Sequence, residues 1–399
     1  MRILQLCNKA PYPANDGSSI AIYNMALGFM ENNADLTLLT INTKKHFKPD
    51  VNVPEEFKRK SNYTSIYRNA DVNPIGALLN LFSDQSYFIS RFYFEEFENA
   101  LTSILKKKNF DLIHIEGLFM ATYIPLIKKY SKAKISIRTH NIEHLIWERL
   151  IMNETDPVKK KYLGIQNKRL KKFEMEVLPA VDAIVTITEQ DKNYFESLGI
   201  ENKYLVSPTG IELSQYKLNT AAIEKFSLFH FGSMDWMPNV EAVEWFLDNV
   251  WSKYFADKPD YTFYIAGRNM PQNLQQLVYK NVKVISEVSD SIDFYNSKQL
   301  MLVPLLSGSG MRIKIIEGMA MGKAIISTGI GAEGIPVSHR ENILIADTPA
   351  EFAESINELF ANPALRENLE KNARELIRTQ FNNKKLVAEV LSFYQTLLN

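Results

Sequence analysis

Cysteine is almost missing from this sequence: Cys7 is the only one in 399 residues. That excludes a disulfide framework and a cysteine-rich metal site. A dominant sign of charge is missing too, since 46 basic side chains meet 46 acidic ones. No global field therefore directs the chain to nucleic acid. There is no run of about 18 apolar residues, so a spanning helix is not expected. The opening Met1–Leu6 is apolar too briefly for a secretory signal and reads as a first strand. A Gly-x4-Gly-Lys-Ser/Thr loop is absent as well, which argues against a nucleotide triphosphatase. Together these absences suit a cytoplasmic protein.

What is present is an alternation of short apolar runs with longer helical patterns. Strands are expected at Arg2–Leu6, Leu36–Thr40, Leu112–Ile115, Lys134–Arg138 and Ala183–Thr188. A second series follows at Leu228–Phe231, Thr262–Ala266, Val282–Ile285, Gln299–Pro304 and Ala324–Thr328. Helical segments such as Ser19–Asn32, Phe94–Lys107 and Val240–Val250 lie between them. Such alternation predicts parallel sheets covered by helices on both faces, and two series predict two doubly wound α/β domains. The first is expected over 1–207, ending where turn-forming residues follow Val206, and the second over 208–380. A last helix, 381–399, is expected to return to the first domain. The two halves differ slightly in charge. Residues 1–208 carry 28 basic and 24 acidic side chains, the remainder 18 and 22, which would suit a first half facing an anionic surface.

The most informative stretch runs from Val303 to Gly322. A strand enters a glycine-containing turn, Gly308-Ser309-Gly310, and a helix is expected from near Gly310 to Gly322. Free N–H groups and the dipole at a helix start favour an anion, and glycines let a phosphate approach the backbone. Positions 310, 314 and 317 would share a helix face. Lys314 could then meet a diphosphate while Glu317, one turn deeper, accepts ribose hydroxyls. The same spacing also fits a plain i, i+3 surface pair.

Together with Lys323–Thr328, this stretch resembles the donor-site signature of glycosyltransferase family four, whose members have the GT-B fold. Phe231–Asn239, Ala266-Gly267-Arg268, Arg138–His144 and the opening Pro11–Ser18 match further pieces, so the resemblance covers most of the chain. It implies two Rossmann-like domains facing across a cleft. It also implies retaining transfer of a sugar from a nucleoside diphosphate sugar to a saccharide or lipid-linked acceptor. No cofactor is implied beyond that co-substrate. Glu317 matches the second acid of the family's Glu-x7-Glu motif, at the donor ribose, and Lys314 a basic residue at the diphosphate. Gly17 would offer its N–H to the same diphosphate, and His140 would hydrogen-bond the donor sugar. Ser309 stands where the motif has its first acid, and Gly232 is followed by Ser233 and Met234 where the family has an arginine. The sugar contact could pass to the amides of the 308–310 turn. Arg312, beside that turn, or Arg268 could supply the missing charge. A nucleotide-sugar epimerase, or a binding protein that has lost catalysis, are the alternatives on this architecture.

Other features are weighed against plainer roles. His140-Asn141-Ile142-Glu143-His144 has histidines at metal spacing, but the order is not His-Glu-x-x-His and no third ligand is evident, so no metal is expected. Gly329–Gly334 spells Gly-x-Gly-x-x-Gly, yet Pro336 and polar residues replace the helix a dinucleotide site requires. Residues 61–98 are rich in aromatics, for which core packing is the favoured role. Lys159–Lys172 forms a basic helical stretch, either a solvated face or a contact with an anionic membrane or lipid-linked acceptor.

Overall fold

The structure, a computed structural model, describes all residues except 15, 45, 46, 72, 220–222 and 309. The chain forms two compact units, Met1–Gly210 with Asn383–Asn399, and Ile211–Asn382. The dividing points lie slightly beyond those read from turn residues. The Ile211 N–H donates to the Phe381 carbonyl and Ile211 bridges to Asn382, so these residues belong together in the second unit.

The first unit holds a seven-stranded sheet. Its strands are β1 (Arg2–Cys7), β2 (Asp35–Thr43), β3 (Thr64–Arg68), β4 (Leu112–Glu116), β5 (Lys134–Thr139), β6 (Ala183–Thr186) and β7 (Tyr204–Val206), in spatial order β3-β2-β1-β4-β5-β6-β7. The second unit holds six: β8 (Ser227–Phe231), β9 (Thr262–Ala266), β10 (Val282–Ile285), β11 (Leu300–Val303), β12 (Ala324–Ser327) and β13 (Leu344–Ile345), in order β10-β9-β8-β11-β12-β13. All pairings are parallel. Each unit is thus a doubly wound α/β domain of Rossmann-like order, as the alternation predicts. The central strands are buried on both faces, which is why they read as apolar runs. β3 and β13 were not legible. β3 is a half-exposed edge strand of mixed residues, and β13 has only two residues.

The strand order reverses between β1 and β4 in the first sheet and between β8 and β11 in the second. Crevices outside the carboxyl ends of those strands are where such folds bind ligands. In the first sheet Cys7 pairs with Glu116, so both strands end level at the switch point. The helix Asn383–Leu398 lies in the first unit, where Val387, Val390, Tyr394 and Leu397 share a core with Ile3, Ile22 and Phe29. Most aromatics of 61–98 are core: Tyr87, Phe88, Phe92, Phe94 and Phe97 are buried, while Tyr67, Phe82 and Tyr93 are exposed.

Candidate functional site

In the second unit the helix after β11 begins at Ile313, not near Gly310, with Arg312 as its N-cap residue. Gly308 and Gly310 have φ of 111° and 77°. That left-handed backbone cannot enter a right-handed helix, so both glycines form the turn before it. Gly310 therefore does not share a helix face with Lys314 and Glu317, which remain together by i, i+3 spacing. Ser309 lies outside the described residues. At Gly308 a Cβ would stand 3.0 Å from the Trp236 ring and 3.1 Å from Arg312 Nη2. Gly308 thus lies close against Arg312, which is buried, donates to the Gly310 carbonyl and sits 5.7 Å from the Trp236 ring. Arg268 takes another position. Its Nε donates to Ser233 Oγ at 3.0 Å and ties the loop after β9 to the loop after β8.

Lys314 reaches back under the sheet end. Its Nζ donates to Asn239 Oδ1 at 2.5 Å and lies 3.3 Å from His230 Nε2. His230 Nδ1 faces the Leu302 carbonyl at 2.9 Å, an acceptor only, so the ring proton is on Nδ1 and Nε2 accepts from the lysine. Burial, then the charge of Lys314, holds the His230 pKa well below its usual value and the ring neutral. Gly232 makes this approach possible, since a Cβ there would fall 2.6 Å from Lys314 Nζ. Burial, and next the charge of Arg312, pushes Lys314 down to about 7. Burial likewise raises Glu317 to about 7, although Tyr216 donates its hydroxyl to Oε1 at 3.2 Å. Such a group of half-compensated charges at a strand switch point is suited to receive an anion and hydroxyl groups. His230, Asn239 and Tyr216 were not singled out from the sequence. Asn239 closes the Phe231–Asn239 motif, but no spacing signal tied it to Lys314.

In the first unit His140 follows β5, and its Nε2 donates to Glu116 Oε2 at 2.6 Å. Glu116 is fully buried. Its Oε1 accepts from His114 Nε2 at 3.0 Å and Gln5 Nε2 at 2.9 Å, and the Arg138 guanidinium is 3.6 Å away. His114 Nδ1 meets the Tyr394 hydroxyl at 2.6 Å, which anchors the last helix to this network. Burial would raise the Glu116 pKa, but His114 and Arg138 outweigh it and hold the carboxyl well below the usual range. Glu116 thereby fixes the ring of His140, whose side chain is 15% exposed. Gly17 is exposed and opens the helix Gly17–Glu31, so its N–H is one of those with no acceptor inside the helix itself. Asp16 caps that helix through the Ser19 N–H and pairs with Lys9 at 2.7 Å.

His144 is structural: its Nδ1 meets Glu174 Oε2 at 2.5 Å and its Nε2 the Tyr194 hydroxyl at 2.9 Å. Glu143 beside it is half-buried, and burial with the nearby Glu174 raises it to about 8. Among the described residues no three His, Cys, Asp or Glu side chains gather as a metal site requires. The Gly329–Gly334 stretch is a turn with no helix after it, held by the Gly329 N–H on Asp347. It has the wrong geometry for a dinucleotide.

Residues 15–215 match the family described as Glycosyltransferase Family 4, and residues 225–362 the one described as Glycosyl transferases group 1. The chain belongs to glycosyltransferase family 4. A 44.6 kDa uncharacterized protein in the cps region of Klebsiella pneumoniae is 20% identical over 98% of both chains. The capsular polysaccharide biosynthesis glycosyltransferase CapM of Staphylococcus aureus is 31% identical over 30% of this chain and 31% of its own. Among solved structures, Anabaena HepE in complex with UDP-glucose has a TM-score of 0.67 at 14% identity, covering 98% of this chain and 99% of that one. The two Rossmann-like domains are those of the GT-B glycosyltransferases, and the chain is a glycosyltransferase of this type. No helix among the described residues is long and apolar enough to cross a membrane.

Proposed function

We propose that this family 4 enzyme transfers a hexose from a nucleoside diphosphate sugar to a hydroxyl of a saccharide or lipid-linked acceptor, with retention and without a metal. Its place would be polysaccharide or glycoconjugate biosynthesis at the cytoplasmic face of a membrane, with peripheral contact through Lys159–Lys172. The observation that carries the reading is the half-buried ammonium of Lys314, held on Asn239 and His230 beside the buried guanidinium of Arg312, with burial pushing the lysine down to about 7. Two cations removed from water gain most from a dianionic partner, and a diphosphate is one. HepE, the structural neighbour, was solved with UDP-glucose, and CapM is named for capsular polysaccharide biosynthesis.

In the proposed reaction the bond from the anomeric carbon to the diphosphate oxygen breaks. The acceptor oxygen bonds to the same carbon from the same face, and its proton passes to the departing diphosphate. Lys314, Arg312 and the amides of the 308–310 turn would stabilise the negative charge that builds on the leaving group. These groups fill the place of a metal. Glu317 would hold the ribose, and His140, steadied by Glu116, the donor sugar.

Thermal-shift titration with UDP-glucose, GDP-mannose and ADP-glucose tests the donor. One should stabilise the wild type, with or without a chelator, and Lys314→Ala and Glu317→Ala should abolish most of that shift. Unchanged binding in both variants would refute the site. An inverted anomer in the transfer product, read by NMR, would refute retention.

A further inference from the structure

Two surface features of the first unit are unused by the transfer reaction, and they adjoin. Residues 74–82 read Pro-Ile-Gly-Ala-Leu-Leu-Asn-Leu-Phe, without a charge. They form a short helix, Pro74–Leu79, and a tight turn, Asn80–Phe82. Of these side chains only Ala77 is buried. Ile75, Leu78, Leu79 and Phe82 are 71%, 61%, 64% and 91% exposed. Four large apolar side chains displayed within nine residues are far from the scattered exposure that needs no explanation.

The second feature is the helix Pro157–Val177, which carries seven basic and two acidic residues. Lys159, Lys160, Lys161, Lys168, Lys171 and Lys172 are all exposed. The apolar segment is fastened to this helix through its backbone. Arg169 donates to the Asn80 and Leu81 carbonyls, each at 3.0 Å, and Gln166 Nε2 to Asn80 Oδ1 at 3.0 Å. Those bonds use up polar groups of the segment and leave its apolar side chains outward. Val158 and Ile165, exposed at 78% and 38%, share one helix stripe with Lys161, Lys168 and Lys172.

We propose that residues 74–82 are a membrane-insertion element: they enter the headgroup and acyl boundary of an anionic bilayer while the flanking lysines meet lipid phosphates. This deepens the peripheral-contact reading by naming the part that enters the lipid. Lysine decides between a membrane and a protein partner. Protein interfaces are depleted in lysine, whereas interfacial membrane elements pair it with Leu and Phe. Six of the seven basic residues here are lysines, and their long stems can lie along apolar surface with the ammonium in the headgroups.

The test is co-sedimentation of the full chain with vesicles of phosphatidylglycerol and phosphatidylcholine, against phosphatidylcholine alone. Wild type should bind the anionic vesicles and be released in part by high salt. Leu79→Glu with Phe82→Glu should weaken that binding roughly tenfold or more. Lys168→Glu with Lys172→Glu should remove the preference for phosphatidylglycerol. A Phe82→Trp variant should be quenched by brominated lipid tails. Nucleotide-dependent thermal shifts in the same variants report that the fold and donor site are intact. Vesicle binding needs no donor, so failure of the transferase reading would not mimic failure here. Binding unchanged in the Leu79/Phe82 variant, no binding to anionic vesicles, or a tryptophan that lipid does not quench would overturn the proposal. Loss of a dimer in place of lipid binding would also overturn it, by assigning the surface to a second copy of the chain.

Discussion

Two carboxylates, Glu116 in the first unit and the half-buried Glu317 in the second, stand in opposite electrostatic conditions. Glu116 receives His114, His140 and Gln5, has Arg138 close by, and is held well below the usual carboxylate range. Glu317 has a hydroxyl from Tyr216 and is raised by burial to about 7, while Lys314 one turn away is lowered to about 7. The Glu116 carboxylate is already satisfied and works as a support that orients His140. The second is left short of partners for its charge, which is the condition under which a ligand contributes what the protein withholds. The contrast separates a residue that positions from residues that bind.

The sharpest way to break the comparison is Glu116→Ala. Removing the carboxylate leaves Arg138 buried without its countercharge, and the expected cost is about 3–5 kcal/mol of stability, read by urea unfolding. Because the Glu116 pKa is lowered on folding, its contribution is present above the unfolded carboxylate value and is lost only as pH falls through the folded one. The penalty should therefore be flat across neutral pH and shrink in acid. A loss under about 1 kcal/mol would show that the network is not a support.

Next comes Lys314→Met, where the two readouts should diverge. Nucleotide-sugar affinity should fall by about 1.5–3 kcal/mol, roughly tenfold to hundredfold, while stability holds or rises because a half-buried, poorly compensated charge is gone. In the wild type, affinity should peak near neutral pH. Lys314 must be charged to meet a diphosphate, so binding weakens as pH rises through about 7. Glu317 must be ionised to accept ribose hydroxyls, so binding also weakens as pH falls through about 7. Titration calorimetry across pH checks both limbs, and a flat profile would count against this pair.

The smallest effect is expected from Tyr216→Phe. It removes one hydrogen bond to Glu317, worth about 0.5–1.5 kcal/mol, and should move the acid limb of that profile to higher pH by up to about one unit. An unmoved limb would remove Tyr216 from the site.

Much of this was readable in the chain. The apolar runs at Leu112–Ile115 and Ala324–Thr328 read as strands buried on both faces, because each run is too short and too apolar for a surface helix. Lys314 and Glu317 fall on one helix face wherever that helix begins, because three residues are nearly one turn. The start of the helix was not readable. Two glycines allow a turn or a helix equally, and the crowding of Gly308 against Trp236 and Arg312 selects the turn.

The sequence by itself determined the doubly wound α/β class and the local pairing of a lysine with an acid, since both follow from short-range periodicity. Only the tertiary structure decided what surrounds them. His230 lies 84 positions before Lys314, and Tyr394 lies 280 positions after His114. No local pattern links such residues. Parallel pairing sets the ends of distant strands side by side at the switch points, and the register of those pairings is a property of the whole sheet. That register brings Glu116 beneath His140 and places His230 and Asn239 against Lys314, which leaves one carboxylate satisfied and the other open to a ligand.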